Sequence, residues 1–320
     1  MEDPVLFQCS GRAFTSRHLV AAAQLWQGLE GPRLRIRRAL AGAAWAQRVG
    51  LAIDDAVVQE ASERFRRDRG LRSAKATQAW LDAHAVGIDD LADFLERQAL
   101  ADMHAQNEAG HPATVDEATV EALLWPELVF SGELPGLCRQ LARQAAVAAE
   151  AQALSAEPGE DLALLVRALD ARFAAFAKEA APPARIETAL RVHWGDFLRI
   201  ACECASFADQ DTAREARLCV CEDGAELAHV ATSAGGTHWA GTVLLCQLPD
   251  GVRDAIQAAG EGEALPVISS EGQHALWYVR AKQRPSLDDA ETHARLREAV
   301  LDEATAPLVA AHITWGAVGL

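Results

Sequence analysis

The sequence predicts an α+β fold: a mostly helical N-terminal part, a smaller part of mixed strands and helices, and a final helix. Apolar residues recur with helical spacing from about Ser16 to Ala180. The pair Pro182-Pro183 interrupts that pattern, and the residues beyond it alternate between strand-like and helical runs. A chain of 320 residues has room for more than one hydrophobic core.

The N-terminal part is predicted to begin with a strand over residues 5–9 that ends in a turn. Asp54, Ser73 and Asp89 each precede an amphipathic stretch and are typical N-terminal capping residues, while Gly70 stands just past the end of the first stretch. These signals predict successive short helices.

Residues 106–116 are predicted to form a connecting loop, and residues 117–180 to form three helices. Pro182-Pro183 is the best boundary because a helix does not continue through it. The predicted domains are therefore residues 1–181, 184–284 and 285–320, the last of them a helix that returns to the first domain.

The second domain is predicted to contain strands and helices in alternation. The expected segments are a mixed, partly alternating region over 187–207, a helix over 213–231, a strand over 242–246, a short helix over 249–259, strands over 265–268 and 273–281, and then the final amphipathic helix over 287–312.

Composition excludes several classes of function. The formal net charge is −16 and the pI near 5.0, so the surface repels phosphate backbones and nucleic acid is not an expected partner. No stretch is apolar enough to span a membrane, and no secretory signal begins the sequence. Seven cysteines without a framework-like spacing suit a reducing compartment. We therefore expect a cytoplasmic protein without a membrane partner.

Several segments in order resemble known proteins over roughly two thirds of the chain. Residues 248–256, 262–267 and 271–279 resemble the closing half of a parvulin-type prolyl isomerase, in which a Gly-x-His hairpin delivers one histidine to the proline pocket. Upstream segments that resemble the parvulin helix junction and glycine-rich loop are Glu222–Ala228 and Gly235-Gly236. Residues 285–289 and 295–298, and the end at 313–315, are similar to the helix that follows this module in SurA-like chaperones. Residues 65–71, 80–81 and 89–95 resemble the helical arm of parvulin-related proteins of bacterial peptide-maturation systems.

The resemblance implies a fold with a SurA-like helical scaffold and a small parvulin-like domain, and it implies a site. His274 matches the second histidine of the parvulin pocket, but the strand over 199–204 lacks the first. The position of the family's Cys or Asp falls near Ser233, and Glu271 replaces a hydroxyl three residues before His274. The candidate catalytic residues are His274, Glu271, Ser233 and Glu203. The candidate peptide-binding residues are Leu245, Leu248, Trp239, Ser270 and His274.

Other constellations have competing interpretations. Cys202, Cys204, Cys219 and Cys221 could supply four thiolates to zinc, but the two pairs lack Cys-x-x-Cys spacing, so buried structural thiols are favoured. His229 and His238 could join His274 in a metal or acid/base cluster, although solvent-facing or capping roles are favoured. The loop over 233–237 lacks the lysine and following helix of a phosphate cradle. Neither a metal nor another cofactor is predicted.

The function expected from these features is that of a peptide-binding chaperone or escort with a degenerate parvulin-like domain. Its partner would be a client or precursor peptide, or a peptide-modifying enzyme. The alternative is an active prolyl isomerase, or a peptide-modifying enzyme that reuses the pocket. A purely structural subunit is a third hypothesis.

Overall fold

The computed structural model describes residues 3–107, 115–152, 154, 161–270, 272–316 and 318. It confirms the α+β fold. The chain forms two compact units, and each is described by itself. Unit 1 comprises residues 1–178 and 303–320, and unit 2 comprises residues 179–302.

Unit 1 begins with two antiparallel strands and continues through helices. Its elements up to the boundary are β1 Val5–Cys9, β2 Arg12–Thr15, α1 Ser16–Leu25, α2 Glu30–Val49, α3 Asp55–Asp68, α4 Ala74–Ala83, α5 Ile88–Asn107, α6 Glu117–Ser131, α7 Leu134–Glu150 and α8 Leu162–Ala180.

The predicted helix starts are set by local capping bonds. The Asp54 carboxylate accepts a hydrogen bond from the Ala56 amide at 2.9 Å, and the Ser73 hydroxyl accepts one from the Ala76 amide at 3.1 Å. The helix expected to open at Asp89 begins one residue earlier, as α5. The three helices expected between residues 117 and 180 are α6, α7 and α8. One expectation at the N-terminus was incomplete, because the turn after β1 leads into β2 before the first helix.

The core of unit 1 is built on aromatic and aliphatic side chains from the strands and from α1, α3, α4, α5, α6, α7 and α8. The rings of Phe7 and Phe14 stack with centroids 4.8 Å apart, which joins β1 to β2. The helices α2 and α5 approach so closely at Gly42 that a Cβ there would lie 2.8 Å from the backbone of Leu100 and Ala101. Glycine therefore fixes the distance between these two helices.

Unit 2 alternates strands and short helices as the sequence predicts, with shifted boundaries. Its elements are α9 Pro183–His193, β3 Arg199–Phe207, α10 Gln210–Glu222, α11 Leu227–Ser233, β4 Thr237–Leu244, a 3₁₀ turn Leu245–Gln247, α12 Asp250–Ala258, β5 Glu263–Ala264, β6 Ile268–Ser270 and β7 Gln273–Gln283.

Three expectations for unit 2 were wrong in detail. The strand expected over 265–268 is not formed, because β5 ends at Ala264 and β6 begins at Ile268. The single helix expected over 213–231 is split into α10 and α11, because Gly224 adopts a left-handed φ of 65° between them. The strand expected over 242–246 begins at Thr237 and ends at Leu244. His238 and Trp239 therefore lie on a strand. Pro183 is the first residue of α9, a position at which its missing N–H costs no hydrogen bond.

The unit 2 sheet is antiparallel, with strand order β4-β3-β7-β5, and β6 pairs with β7. Side chains alternate across it. One face, here the α12 face, carries Ile200, Cys202 and Val279 against α12. The opposite face, the α10 face, carries Ala205 and Phe207 against α10 and α11. Central strand β3 thus contributes to two separate cores.

The final helix α13 covers Ala290–His312 and is followed by β8, Ile313–Trp315. The first half of α13 belongs to unit 2, where Leu296 packs with Ile186 and Phe197. The second half belongs to unit 1, and β8 there completes a sheet of order β2-β1-β8. Within the described residues, no helix combines the length and apolar character needed to cross a membrane.

Candidate functional site

The register of the unit 2 sheet assigns the candidate residues to faces. Glu203 lies opposite Tyr278 of β7, and Phe207 lies opposite His274. Both candidate residues are therefore on the α10 face. Trp239 lies opposite Cys204, on the α12 face. The sheet separates the predicted site residues into two groups.

Glu203 is the centre of a polar cluster on the α10 face. Its side chain is 8% exposed and accepts a hydrogen bond at 3.0 Å from Nε2 of His238 on β4. Its other carboxylate oxygen accepts from the guanidinium of Arg280 on β7. Arg280 also lies over the ring of Tyr278, with its central carbon 5.0 Å from the ring centroid. This cluster joins the three main strands.

The electrostatics of the cluster favour an ionised Glu203. Burial acts to raise the pKa of its carboxyl group, but hydrogen bonds from His238 and Arg280, together with the charge of Arg280, outweigh burial and lower that pKa. The arrangement therefore holds a buried carboxylate between two donors. Sequence reasoning identified Glu203 and weighed His238, but it missed Arg280, whose position follows from a register shift in β7 between the partners of Ala201 and Cys202.

A small cavity of about 100 Å³ lies beside the cluster. Its volume equals that of about three water molecules, at roughly 30 Å³ each. The residues that line it are Val220, Gly224, Ala225, Glu226, Leu227, Tyr278 and Arg280.

His274 is half-buried and is held by a residue that sequence reasoning passed over. Its Nδ1 atom and the Ser269 hydroxyl share a hydrogen bond of 2.7 Å, across the β6–β7 pair. His274 is four positions along β7 from Tyr278, the partner of Glu203, which corresponds to about 13 Å of strand. His274 and Glu203 thus belong to separate hydrogen-bonded groups.

The remaining polar candidates are dispersed. Ser233 is exposed at the end of α11, and Ser270 is exposed at the end of β6. Glu271 lies outside the described residues.

The α12 face carries an aromatic pair next to the edge of the sheet. Trp239 is 44% exposed, and its ring meets that of half-buried Trp277 edge-on, with centroids 6.5 Å apart and planes at 65°. The Trp239 ring lies across Gly241, where a Cβ would come within 2.6 Å of it. Trp277 Nε1 is buried without a hydrogen-bond partner among the described residues. Sequence reasoning missed Trp277, since only the register shows that it adjoins Trp239.

Leu245 and Leu248 lie in the core of the α12 face, together with the inward side chains of β3 and α12. They are 1% and 5% exposed, and they belong to the apolar core against which Trp277 packs. They form the floor of the α12 face, and His274 lies on the opposite face of the sheet.

The cysteines are all free. Burial raises the pKa of the Cys202 thiol to about 11, with smaller contributions from Cys204 and Glu203. Across the part of the chain that the structure describes, no group of three or more His, Cys, Asp or Glu side chains is placed to hold a metal ion.

Comparisons with known proteins identify similar solved structures only. No protein-family model matches the sequence, and no curated protein matches it. The foldase PrsA of Streptococcus pneumoniae is 13% identical, with 96% of this chain and 89% of that chain covered and a TM-score of 0.30. PrsA of Lactococcus lactis is 12% identical, covered over 97% and 90%, with a TM-score of 0.32.

A chain described with the SurA-like chaperones of Campylobacter jejuni is 7% identical, covered over 97% and 94%, with a TM-score of 0.20. The chain is similar to these chaperones at low identity and with low TM-scores. No function follows from that similarity.

Proposed function

We propose that the protein is a peptide-binding chaperone or escort that holds an extended segment of a client or precursor peptide along the outer edge of β4. The observation that carries this proposal is an aromatic pair, exposed Trp239 and half-buried Trp277, of which Trp239 lies on the outermost strand of the unit 2 sheet.

The edge strand supplies main-chain recognition. β4 pairs with β3 on one side and is last in the strand order of the described sheet, so its outward N–H and C=O groups have no strand partner there. Residues Thr237–Ala240 are exposed. An extended peptide satisfies such groups by adding a strand, and this mode is tolerant of sequence.

The aromatic pair supplies apolar recognition. A strand added beside β4 would place alternate side chains on the α12 face, next to Trp239. Half-buried Trp277 packs edge-on against Trp239 and extends the apolar surface there. Leu245 and Leu248 belong to the core that supports Trp277. Ser270, at the end of β6, and His274, on the α10 face, lie outside the α12 face. A client would contact them only if it extended past that face.

Replacing Trp239 with alanine should weaken binding of an apolar extended peptide by about tenfold, because exposed interface tryptophans commonly carry 1–3 kcal/mol of binding energy. Fluorescence anisotropy of a labelled peptide measures the effect. Trp194→Ala is the matched control, since Trp194 lies in the same unit and is 52% exposed, at the C-terminal end of α9 and not on β4. Equal losses in both variants would argue against an aromatic site at β4.

A second measurement tests the main-chain contacts. Two peptides are N-methylated at alternate residues, one in each of the two possible registers. Their affinities should differ, because only one of the two sets of amides would face β4 and donate hydrogen bonds to it. If both peptides bound as well as the unmodified one, strand addition would be excluded.

The compartment we propose is a reducing one. The support is that all seven cysteines are free and that Cys202 and Cys204, which share a face of β3, remain unpaired thiols.

A prolyl isomerase is a second candidate, favoured by one observation, the hydrogen bond between Ser269 and His274. If this pair acts on a prolyl bond, His274→Ala should abolish turnover of a proline-containing tetrapeptide while Trp239→Ala leaves the turnover number unchanged. Equal turnover by wild-type protein and His274→Ala would remove isomerase activity at this residue from consideration.

A further inference from the structure

Helices α3 and α5 in unit 1 form a second concave surface, here called the α3/α5 groove. Its volume is about 440 Å³, within the range of roughly 300–1,000 Å³ typical of ligand pockets. The residues that line it are Ile53, Asp55, Val58, Gln59, Ser62, Ile88, Leu91, Ala92, Leu95 and Glu96.

The lining residues follow helical spacing on both walls. On α5 they recur at every third and fourth position from Ile88 to Glu96, and on α3 they do so from Asp55 to Ser62. Each helix therefore presents one continuous face to the groove. Leu91 and Leu95 form a buried floor, while Ile88 is 53% exposed at the rim.

The charge of the groove has one sign. Asp55 and Glu96 are its charged lining residues, and neither has an ion-pair partner among the residues that the structure describes. No Lys or Arg lines the groove. Acidic side chains on the same helices but outside the lining, such as Glu60 and Asp93, are instead within 4 Å of an arginine one turn away.

We propose that the α3/α5 groove binds an amphipathic helical segment of a client protein that carries basic residues beside its apolar face. The apolar row on α5, faced by Val58 on α3 and by Ile53 just before α3, accepts a third helix through residues spaced at i, i+3, i+4 and i+7. The unpaired carboxylates select lysine or arginine at its edges, and the net charge of −16 attracts such a segment from a distance. This site is independent of the β4 edge.

The test uses the full-length protein and two labelled amphipathic peptides with the same leucine pattern, one flanked by lysine and one by glutamate. The lysine peptide should bind at least about tenfold more tightly, and high salt should reduce that difference. The double variant Asp55→Lys/Glu96→Lys should abolish or reverse the preference. Ala92→Trp, at an exposed lining position, should weaken binding of the lysine peptide about tenfold by filling the groove.

Glu60→Lys/Asp93→Lys is the matched control, since it makes the same change of charge on the same two helices outside the lining. It should retain most of the preference for the lysine peptide. Circular dichroism melting curves check that each variant is folded. Equal binding of the two peptides by the wild type, or an equal effect of the two double variants, would overturn the proposal. So would a dimer that Ala92→Trp dissociates, because the groove would then be occupied by a second copy.

Discussion

Glu203 illustrates at the residue scale how a buried charge is retained in this fold. A carboxylate that is 8% exposed would be expensive without partners, but His238 and Arg280 each donate to one of its oxygens. Because the donors come from the strands on either side of β3, the same group that needs stabilisation also ties the sheet together.

Glu203→Gln should therefore lower the free energy of unfolding at neutral pH by about 1–2 kcal/mol, a value kept small because Arg280 is half-exposed. Urea titration of the two proteins measures the difference. Arg280→Lys, which keeps the positive charge but loses the planar fork, should cost less than Glu203→Gln.

The difference should depend on pH. The pKa of Glu203 in the folded protein is below its unfolded value of about 4.3, so its contribution is complete above about pH 5 and is lost as the pH falls through the folded pKa. The stability advantage of the wild type over Glu203→Gln should shrink between about pH 5 and 3. An advantage that is constant over this range would mean that the carboxylate is not preferentially ionised in the folded state.

At the scale of elements, α2 and α5 are packed at a distance that only glycine permits. Gly42→Ala should lower the free energy of unfolding by about 1–3 kcal/mol, because the new methyl group would overlap the backbone at Leu100 and Ala101. Gly31→Ala, on the same helix with only the end of Arg35 nearby, should leave stability unchanged or raise it by up to about 1 kcal/mol. Urea unfolding midpoints of both variants distinguish close packing from a general effect of glycine in helices.

The sequence predicts elements well where the signal is local. Asp54 and Ser73 cap the expected helices because a capping bond spans only two or three residues. It predicts the site less well, because the site depends on strand register. Trp277 and Arg280 reach Trp239 and Glu203 through pairings between distant segments and through a shift in β7. The residue types alone do not indicate which side chains lie next to Trp277 and Arg280.

At the scale of the whole molecule, unit 1 is made from two distant parts of the chain. β8 pairs with β1 through Phe7 and Trp315, whose rings meet edge-on at 5.7 Å, and Val318 beyond it is buried in the same core. Truncation after His312 should therefore destabilise unit 1 and leave the unit 2 sheet intact.

Hydrogen exchange monitored by mass spectrometry tests this prediction directly. In the truncated protein, amides of β1 and β2 should exchange faster, while those of β3 and β7 should keep their protection. Trp315→Ala is the milder comparison, since it keeps the strand and removes the ring. Unchanged exchange in β1 after truncation would contradict a structural role for β8.

The pairing of β1 with β8 also sets an order of events during protein synthesis. The two strands are roughly 300 residues apart, and every strand of the unit 2 sheet is translated between them. On the ribosome, the unit 2 sheet has all of its partners before β1 acquires its second one. Until then β1 carries an open edge in the nascent chain, and such an edge invites pairing with other chains.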